Sequence, residues 1–331
     1  MRVFHGDPIK LAAPDPVLSA ELLEFVARRY GLSVQSPRKL GGSFNLNVQL
    51  DNHVLRMYGP WVSAERLSEL QRIRGILQTR GVPIPDLRPA LDGSSWCSFG
   101  DCVLEVERYV AGAPMRSFEQ LRLGMQMLGQ LHSLMADLEV QVPPPLANHL
   151  PEELALAATQ DVVALIHTWE PTPQEEHYAE IAETLARTLP VMGLPRQPAH
   201  GDFWDNNVLF SENALVAILD FDFMGMRPRV DDLALPLCYF FQFGGQLSQV
   251  RELIAAYDSG ATPPLSEHER RALPSAMARL ALSFLQYLLL PGGEAYAQRA
   301  RREFNSGRGP ACEWWLNALR DPALQEVAFL S

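Results

Sequence analysis

The stretch His200-Gly201-Asp202-Phe203-Trp204-Asp205-Asn206-Asn207, continued by Val208-Leu209-Phe210 and closed by Ile218-Leu219-Asp220-Phe221-Asp222, decides the reading of this chain. Val208–Phe210 and Leu215–Leu219 have the character of two short strands, and Ser211-Glu212-Asn213-Ala214 is the turn between them. Asn207 immediately precedes this hairpin and Asp220 immediately follows it, so antiparallel pairing sets an amide oxygen beside a carboxylate. Oxygen ligands in that arrangement suit Mg²⁺, which takes one or two protein ligands and completes its shell with water and phosphate oxygens. Asp202 opens the same loop and is placed to accept or orient a hydroxyl proton. Together these side chains supply what metal-assisted phosphoryl transfer from ATP requires. Singly, each reads as a turn former or a strand-end acid; the spacing carries the assignment. The chain contains its own control, since His5-Gly6-Asp7 repeats the tripeptide but position 12 is Ala, leaving the role of the Asn unfilled there. His200 reads as a brace for the loop, because no nucleophilic serine motif accompanies it.

Working outward, the N-terminal part reads as a helix followed by strands. Val17 to Tyr30 presents Leu18, Leu22, Phe25 and Val26 on one helical face. Strands are predicted near Arg38–Leu40, over Phe44–Leu50 and over His53–Tyr58, with Asp51-Asn52 as a tight turn. A helix from about Ala64 to Thr79 is stopped by Gly81-Val82-Pro83-Ile84-Pro85. A further hairpin is predicted through Asp92-Gly93, with its second strand ending near Val110. After Gly112 the periodicity becomes helical. Leu121, Leu128, Leu131, Met135 and Leu138 mark one long helix, and Glu152–Thr168 and Pro173–Leu189 mark two more. Helices fill most of the chain after Asp232. The boundary lies near Tyr109–Gly112, between a sheet-rich lobe of residues 1–109 and a helical lobe of residues 110–331. Gly41-Gly42-Ser43-Phe44-Asn45, between two strands, can bring backbone N–H groups close to phosphate. Arg56 follows on the next strand, where an inward cation among apolar neighbours needs a partner; an edge-strand Arg facing solvent is the alternative.

The pattern His-x-Asp-x-x-x-x-Asn followed by Ile218-Leu219-Asp220-Phe221-Asp222 resembles the aminoglycoside phosphotransferase and homoserine kinase type of small-molecule kinase. That resemblance implies an α+β, bilobal protein-kinase-like fold, with a small antiparallel-sheet N-lobe and a larger, mostly helical C-lobe. It implies that Asp202 is catalytic, that Asn207 and Asp220 hold magnesium, and that Arg56 stands where the phosphate-binding lysine would. Glu69 is then the partner of Arg56, with Glu65 an alternative one helical turn earlier; spacing back from Gly81-Val82-Pro83 favours Glu69. Gly42 and Ser43 would cover the phosphates, and Glu107 to Tyr109, leading to Gly112, would form the interlobe hinge whose backbone pairs with adenine. Asp220-Phe221-Asp222 stands where protein kinases have Asp-Phe-Gly, and the missing Gly argues against a protein kinase with a mobile activation segment. Asp231-Asp232-Leu233-Ala234 matches the family's Asp-Leu-Ala helix start, where Asp232 braces the catalytic loop or caps the helix.

Composition limits the partners. The chain has 331 residues, 47% of them hydrophobic and 20% charged, an ordinary globular balance. A net charge of −11 without a basic stripe argues against nucleic acid and suits a cationic acceptor. Cys97, Cys102, Cys238 and Cys312 form neither a disulfide framework nor a zinc site, as expected in a reducing cytoplasm. The greasy run Leu280–Leu290 is short of the roughly 20 residues that span a bilayer. The resulting expectation is a cytoplasmic, ATP- and Mg²⁺-dependent kinase for a hydroxyl of an aminoglycoside-, homoserine- or choline-like small molecule. The alternative is a catalytically silent nucleotide-binding module acting through a partner, which Arg in the lysine's place leaves open.

Overall fold

The computed structural model describes residues 16–41, 44–145, 148–242, 245–289 and 294–322. Helix α1, Ala20–Tyr30, starts where the Ser19 hydroxyl accepts from the Leu22 N–H and stops at Gly31, whose φ of 63° ends the helical run. It covers one face of an antiparallel sheet formed by β1 (Arg38–Lys39), β2 (Leu46–Leu50), β3 (His53–Met57), β4 (Cys97–Phe99) and β5 (Cys102–Arg108), in the order β1-β2-β3-β5-β4. Leu22, Val26 and Tyr30 meet Val48, Leu50, Leu55, Leu104 and Val106 there in one buried cluster. Asp51, at φ 53°, makes the predicted turn between β2 and β3. The next hairpin turns at Gly100-Asp101 and not at Asp92-Gly93. The reason is local: Ser95 O accepts from Gln71 and Trp96 Nε1 donates to Ser68 Oγ, so this segment is tied to a helix and the strand begins only at Cys97.

That helix, α2 (Ala64–Thr79), follows β3 and has the predicted bounds. Its Leu70, Ile73 and Leu77 do not join the sheet cluster; they belong to the large core of the helical lobe. Between α2 and the sheet lies a buried polar knot. Glu105, fully buried, accepts from Tyr58 Oη at 2.6 Å, Gln71 Nε2 at 2.7 Å and Arg74 Nη2 at 2.5 Å. Arg74 offsets the burial that would otherwise raise the Glu105 pKa, and the carboxylate is held below its ordinary range.

The remainder is mainly helical. After the short β6 (Ala113–Pro114) come α3 (Phe118–Met135), α4 (Ala155–His167) and α5 (Pro173–Thr188). Ser117/Gln120 and Thr172/Glu175 form capping boxes at the starts of α3 and α5. Four short strands then carry the motif region: β7 (Gln197–Ala199), β8 (Val208–Ser211), β9 (Ala214–Ile218) and β10 (Gly225–Arg227). Strand β6 pairs with β8, β8 with β9, and β10 with β7. Helices α6 (Val230–Gln242), α7 (Leu247–Gly260) and α8 (Glu267–Leu285) close the core. The last of these continues as a turn of tighter helix to Leu289. This 23-residue run is longer than the apolar stretch in the sequence suggests and apolar enough to span a membrane, but its most apolar window is 89% buried inside the protein. It is a core helix.

Arg74 and Glu105 supply the test of the polar knot. Glu105→Leu leaves a buried guanidinium short of its main partner and is expected to cost about 3–5 kcal/mol, whereas Arg74→Met combined with Glu105→Leu should recover most of that. Urea unfolding of the two single variants and the double variant measures it.

Candidate active site

The catalytic-type loop is held from behind by a buried acid. Asp232, near the start of α6, accepts from the His200 N–H at 2.5 Å and the Gly201 N–H at 2.7 Å, and its Oδ2 also lies 3.0 Å from His132 Nε2. His132 in turn meets the Tyr257 hydroxyl at 2.8 Å. His200 Nδ1 accepts from the Asp202 N–H at 3.2 Å, so its Nε2 is the donor to Leu219 O at 2.9 Å. Burial holds this imidazole neutral, down at about 4. Gly201 has no substitute here: at φ 85°, an added Cβ would lie 2.3 Å from the Phe223 carbonyl oxygen. His200 and Asp232 therefore brace the loop.

Strands β8 and β9 form the predicted hairpin with one change. Val208 pairs with Ile218 and Leu209 with Ala217, but Phe210 pairs with Leu215, so a bulge adds one residue to β9. Asn207 consequently faces Leu219, whose N–H donates to Asn207 O at 2.8 Å, and Asp220 stands one residue further on. Asp220 adopts the left-handed conformation, φ 62° and ψ 65°, which Asp tolerates better than most residues. Asn207 Nδ2 donates to Asp202 Oδ2 at 2.8 Å and to Asp202 O at 2.9 Å. The structure thus brings Asp202, Asn207 and Asp220 into one neighbourhood through the loop, with the strand pairing offset from direct opposition.

Arg56 joins them from the other lobe. It is 6% exposed, which excludes the solvent-facing alternative. Its Nη2 donates to Asp220 Oδ1 at 2.6 Å and to Asp222 Oδ2 at 2.8 Å. Burial alone would lower the Arg56 pKa, but the two carboxylates overcome it and keep the group charged. Asp222 Oδ2 also accepts from Asn45 Nδ2 at 2.5 Å, so one oxygen carries both contacts. Burial pushes the Asp202 carboxyl well above the usual range, and the Asp220 charge adds to that shift.

Glu69 is not the partner of Arg56. Its carboxylate instead accepts from the backbone N–H groups of Gln141 and Val142, each at 2.6 Å, across the lobe boundary. Arg66, one turn earlier on α2, donates to the carbonyls of Val142, Asp222 and Met224. Those neighbours draw Glu69 toward the helical lobe and away from β3. The hinge differs too. Glu107 is buried facing Arg74, with its carboxyl raised to about 7 by burial. The N–H groups of Arg108 and Tyr109 are already taken by Asp86 O and Asn52 O. Gly42, Ser43 and the N-terminal His5-Gly6-Asp7 copy lie outside the described residues. Trp204 packs against the helical core, and Asp205 is exposed, with Oδ1 accepting from the Asn206 N–H.

Asn148 and Tyr287 are the side chains that sequence reasoning missed. Asn148 Nδ2 donates to Asp202 Oδ1 at 2.7 Å, and Tyr287 Oη donates to Asn148 Oδ1 at 2.6 Å. Each oxygen of the Asp202 carboxylate is thereby fixed by one amide, Asn148 on one side and Asn207 on the other. No spacing could have revealed a contact spanning 54 residues.

The donor set fits Mg²⁺. Among the described residues no group of three His, Cys, Asp or Glu is gathered as a protein-only metal site, and a cation that keeps phosphate and water in its shell needs only one or two protein oxygens. Asn207 and Asp220 are the residues that would hold it.

A sequence profile described as the phosphotransferase enzyme family matches residues 38–273. The homoserine kinase of Phenylobacterium zucineum (strain HLK1) is 34% identical over 113 residues, 31% of this chain and 34% of that protein. The homoserine kinase of Zymomonas mobilis subsp. mobilis (strain ATCC 31821 / ZM4 / CP4) is 24% identical over 255 residues, 73% of this chain and 75% of that one. The chain thus spans only about a third of the length of the first curated relatives it matches. An amicoumacin kinase solved with AMP-PNP, Ca²⁺ and Ami superposes with a TM-score of 0.64 at 14% identity, over 89% of this chain and 94% of that one. The protein-kinase-like architecture is shared.

Two outcomes follow from the loop geometry. Asn148→Leu removes a hydrogen bond to a carboxylate, for which roughly 10–100-fold in kcat is expected with little change in nucleotide KM; initial rates in both substrates measure it. His200 is neutral when folded, with a pKa of about 4 against an ordinary 6.5. Its contribution to stability is complete above 6.5 and is lost as pH falls toward 4, because the unfolded chain takes up the proton first. Denaturant unfolding should therefore show the advantage of the wild type over His200→Gln shrinking by roughly 3 kcal/mol between pH 7 and pH 4.

Proposed function

The chain belongs to the phosphotransferase enzyme family, and from that premise we propose that it transfers the γ-phosphoryl group of ATP to a hydroxyl of a small molecule. The observation that carries this is the Asp202 carboxylate, clasped by Asn148 and Asn207 and set among Asp220, Asp222 and Arg56. A half-buried carboxylate with a raised proton affinity is suited to accept the acceptor's hydroxyl proton. Its two amide partners fix its direction and still leave lone pairs for that proton. Mg²⁺ bound by Asn207 and Asp220 would neutralise phosphate charge. Arg56 is already engaged through Nη2, and its buried Nε has no hydrogen-bond partner among the described residues, a donor that a phosphate oxygen would satisfy. The adenine would pair with backbone beyond Tyr109, since the N–H groups of Arg108 and Tyr109 are engaged. Most of the catalytic effect is then positioning and charge stabilisation.

For the acceptor, the similarity to proteins named homoserine kinases and the net charge of −11 favour a small hydroxylated amine or amino acid. Four free cysteines, three of them buried, support a cytoplasmic location. The test is ADP release against a panel of amino alcohols, hydroxylated amino acids and aminoglycosides, run with wild type and Asp202→Asn. Turnover should fall roughly 10²–10⁴-fold in the variant while ATP affinity holds. Unchanged turnover would remove Asp202 from the mechanism, and tight ATP binding without phosphorylation of any acceptor would favour the silent-module reading.

A further inference from the structure

A second polar cavity, of about 230 Å³, opens in the helical lobe between the segment following α3, the Val191–Arg196 segment and strand β10. Its polar lining includes His149, Glu152, Arg196, Arg227, Asp231 and Gln286, and none of Asp202, Asn207, Asp220 or Asp222 borders it. The space is well above the roughly 10–15 Å³ that admits a single water, and it suits a molecule of several heavy atoms.

The charges around it are mostly settled. Arg196 pairs with Glu153 at 2.5 Å, and Arg279, behind the wall, pairs with Asp231 and lies 3.5 Å from Glu152. Arg227 is the exception. It is 7% exposed, its Nη2 donates to Phe223 O at 2.7 Å, and its Nη1 has no hydrogen-bond partner and no ion pair among the described residues. His149 is 4% exposed, and neither ring nitrogen is hydrogen-bonded among the described residues. Burial, with Arg227 and Arg279 nearby, holds its pKa well below the ordinary value, so it stays neutral and offers one donor and one acceptor. Buried polar groups in native folds are nearly always partnered. Two such groups on one cavity wall specify the missing partner: an anionic acceptor for Arg227 Nη1 and an imidazole N–H, with an adjacent donor for the other imidazole nitrogen.

We propose that this cavity is a second small-molecule site, separate from the transfer site, which takes a small carboxylate bearing an adjacent hydrogen-bond donor: an amino acid or a hydroxy acid. The carboxylate meets Arg227 and the donor meets His149. The carboxylates of Glu152 and Asp231, already shared with Arg279, allow a net-neutral zwitterion without a new unpaired charge.

The experiment is calorimetric titration of the full chain with L-alanine and, separately, with L-lactate, which distinguishes the amino from the hydroxy source. Neither assay depends on turnover. Wild type and Asp202→Asn should bind at least one probe saturably with equal affinity, and Arg227→Met and His149→Leu should each weaken it at least tenfold. Thermal melts check folding of each variant; if Arg227→Met fails to fold, His149→Leu alone decides. No saturable binding of either probe to wild type, affinity unchanged in the folded cavity variants, or loss of binding in Asp202→Asn would each overturn the proposal. The last result would assign the probe to the transfer cleft.

Discussion

The buried contact of Arg56 with Asp220 and Asp222 is the constraint around which the molecule is arranged. Asp202, Asp220 and Asp222 converge from one loop and one hairpin, and the first and last of these are pushed toward protonation by burial and by each other's neighbours. One guanidinium from β3 reaches two of the three. Removing it would leave two part-buried carboxylates without their cation, which is costly. The same contact joins the sheet to the helical lobe, beside those that Arg66 and Glu69 make from α2. Nη2 alone meets both acids, so the guanidinium keeps other donors free of them, whereas a lysine ammonium would bring all its donors to one point. The substitution of Arg for the lysine expected of this architecture is consistent with that double duty.

A second consequence concerns helix α2. In protein kinases an ion pair between the strand lysine and a glutamate of this helix must form for activity, and moving the helix controls it. Here the helix is riveted on the opposite side. Glu69 caps the Gln141 and Val142 N–H groups, Arg66 binds three carbonyls of the helical lobe, and Leu70, Ile73 and Leu77 sit in its core. Arg74 and Glu105 then lock the inner face of the same helix to the sheet. The cation of β3 takes its carboxylates from the motif region instead, so its position is coupled to Asp220 and Asp222 and not to α2.

Much of this was legible in the sequence because it is local. The bounds of α2 came from its periodicity and the Gly81-Val82-Pro83 stop, and the β8–β9 hairpin came from two apolar runs around four turn formers. The family resemblance offered Asp232 as a loop brace or a helix cap, and its contacts with the His200 and Gly201 N–H groups are those of the brace. What escaped was set by tertiary geometry. The bulge in β9 falls between the Leu209 and Phe210 pairings, and no composition rule marks it. The partner of Glu69 is a pair of backbone N–H groups, which carry no sequence signal at all. Asn148, the second amide on Asp202, stands in a proline-flanked connection far from the motif. Asp92-Gly93 does form a tight turn, but the strands flank Gly100-Asp101, because Ser95 and Trp96 are tied to α2.

The most direct measurement of the central claim is the effect of Mg²⁺ on ATP affinity, compared by calorimetry between wild type and Asp220→Asn. If Asp220, released from Arg56, is a ligand to the metal that bridges the phosphates, Mg²⁺ should strengthen ATP binding in wild type, and that gain should largely vanish in the variant. An equal gain in both proteins would contradict the account, because the metal would then be held without Asp220.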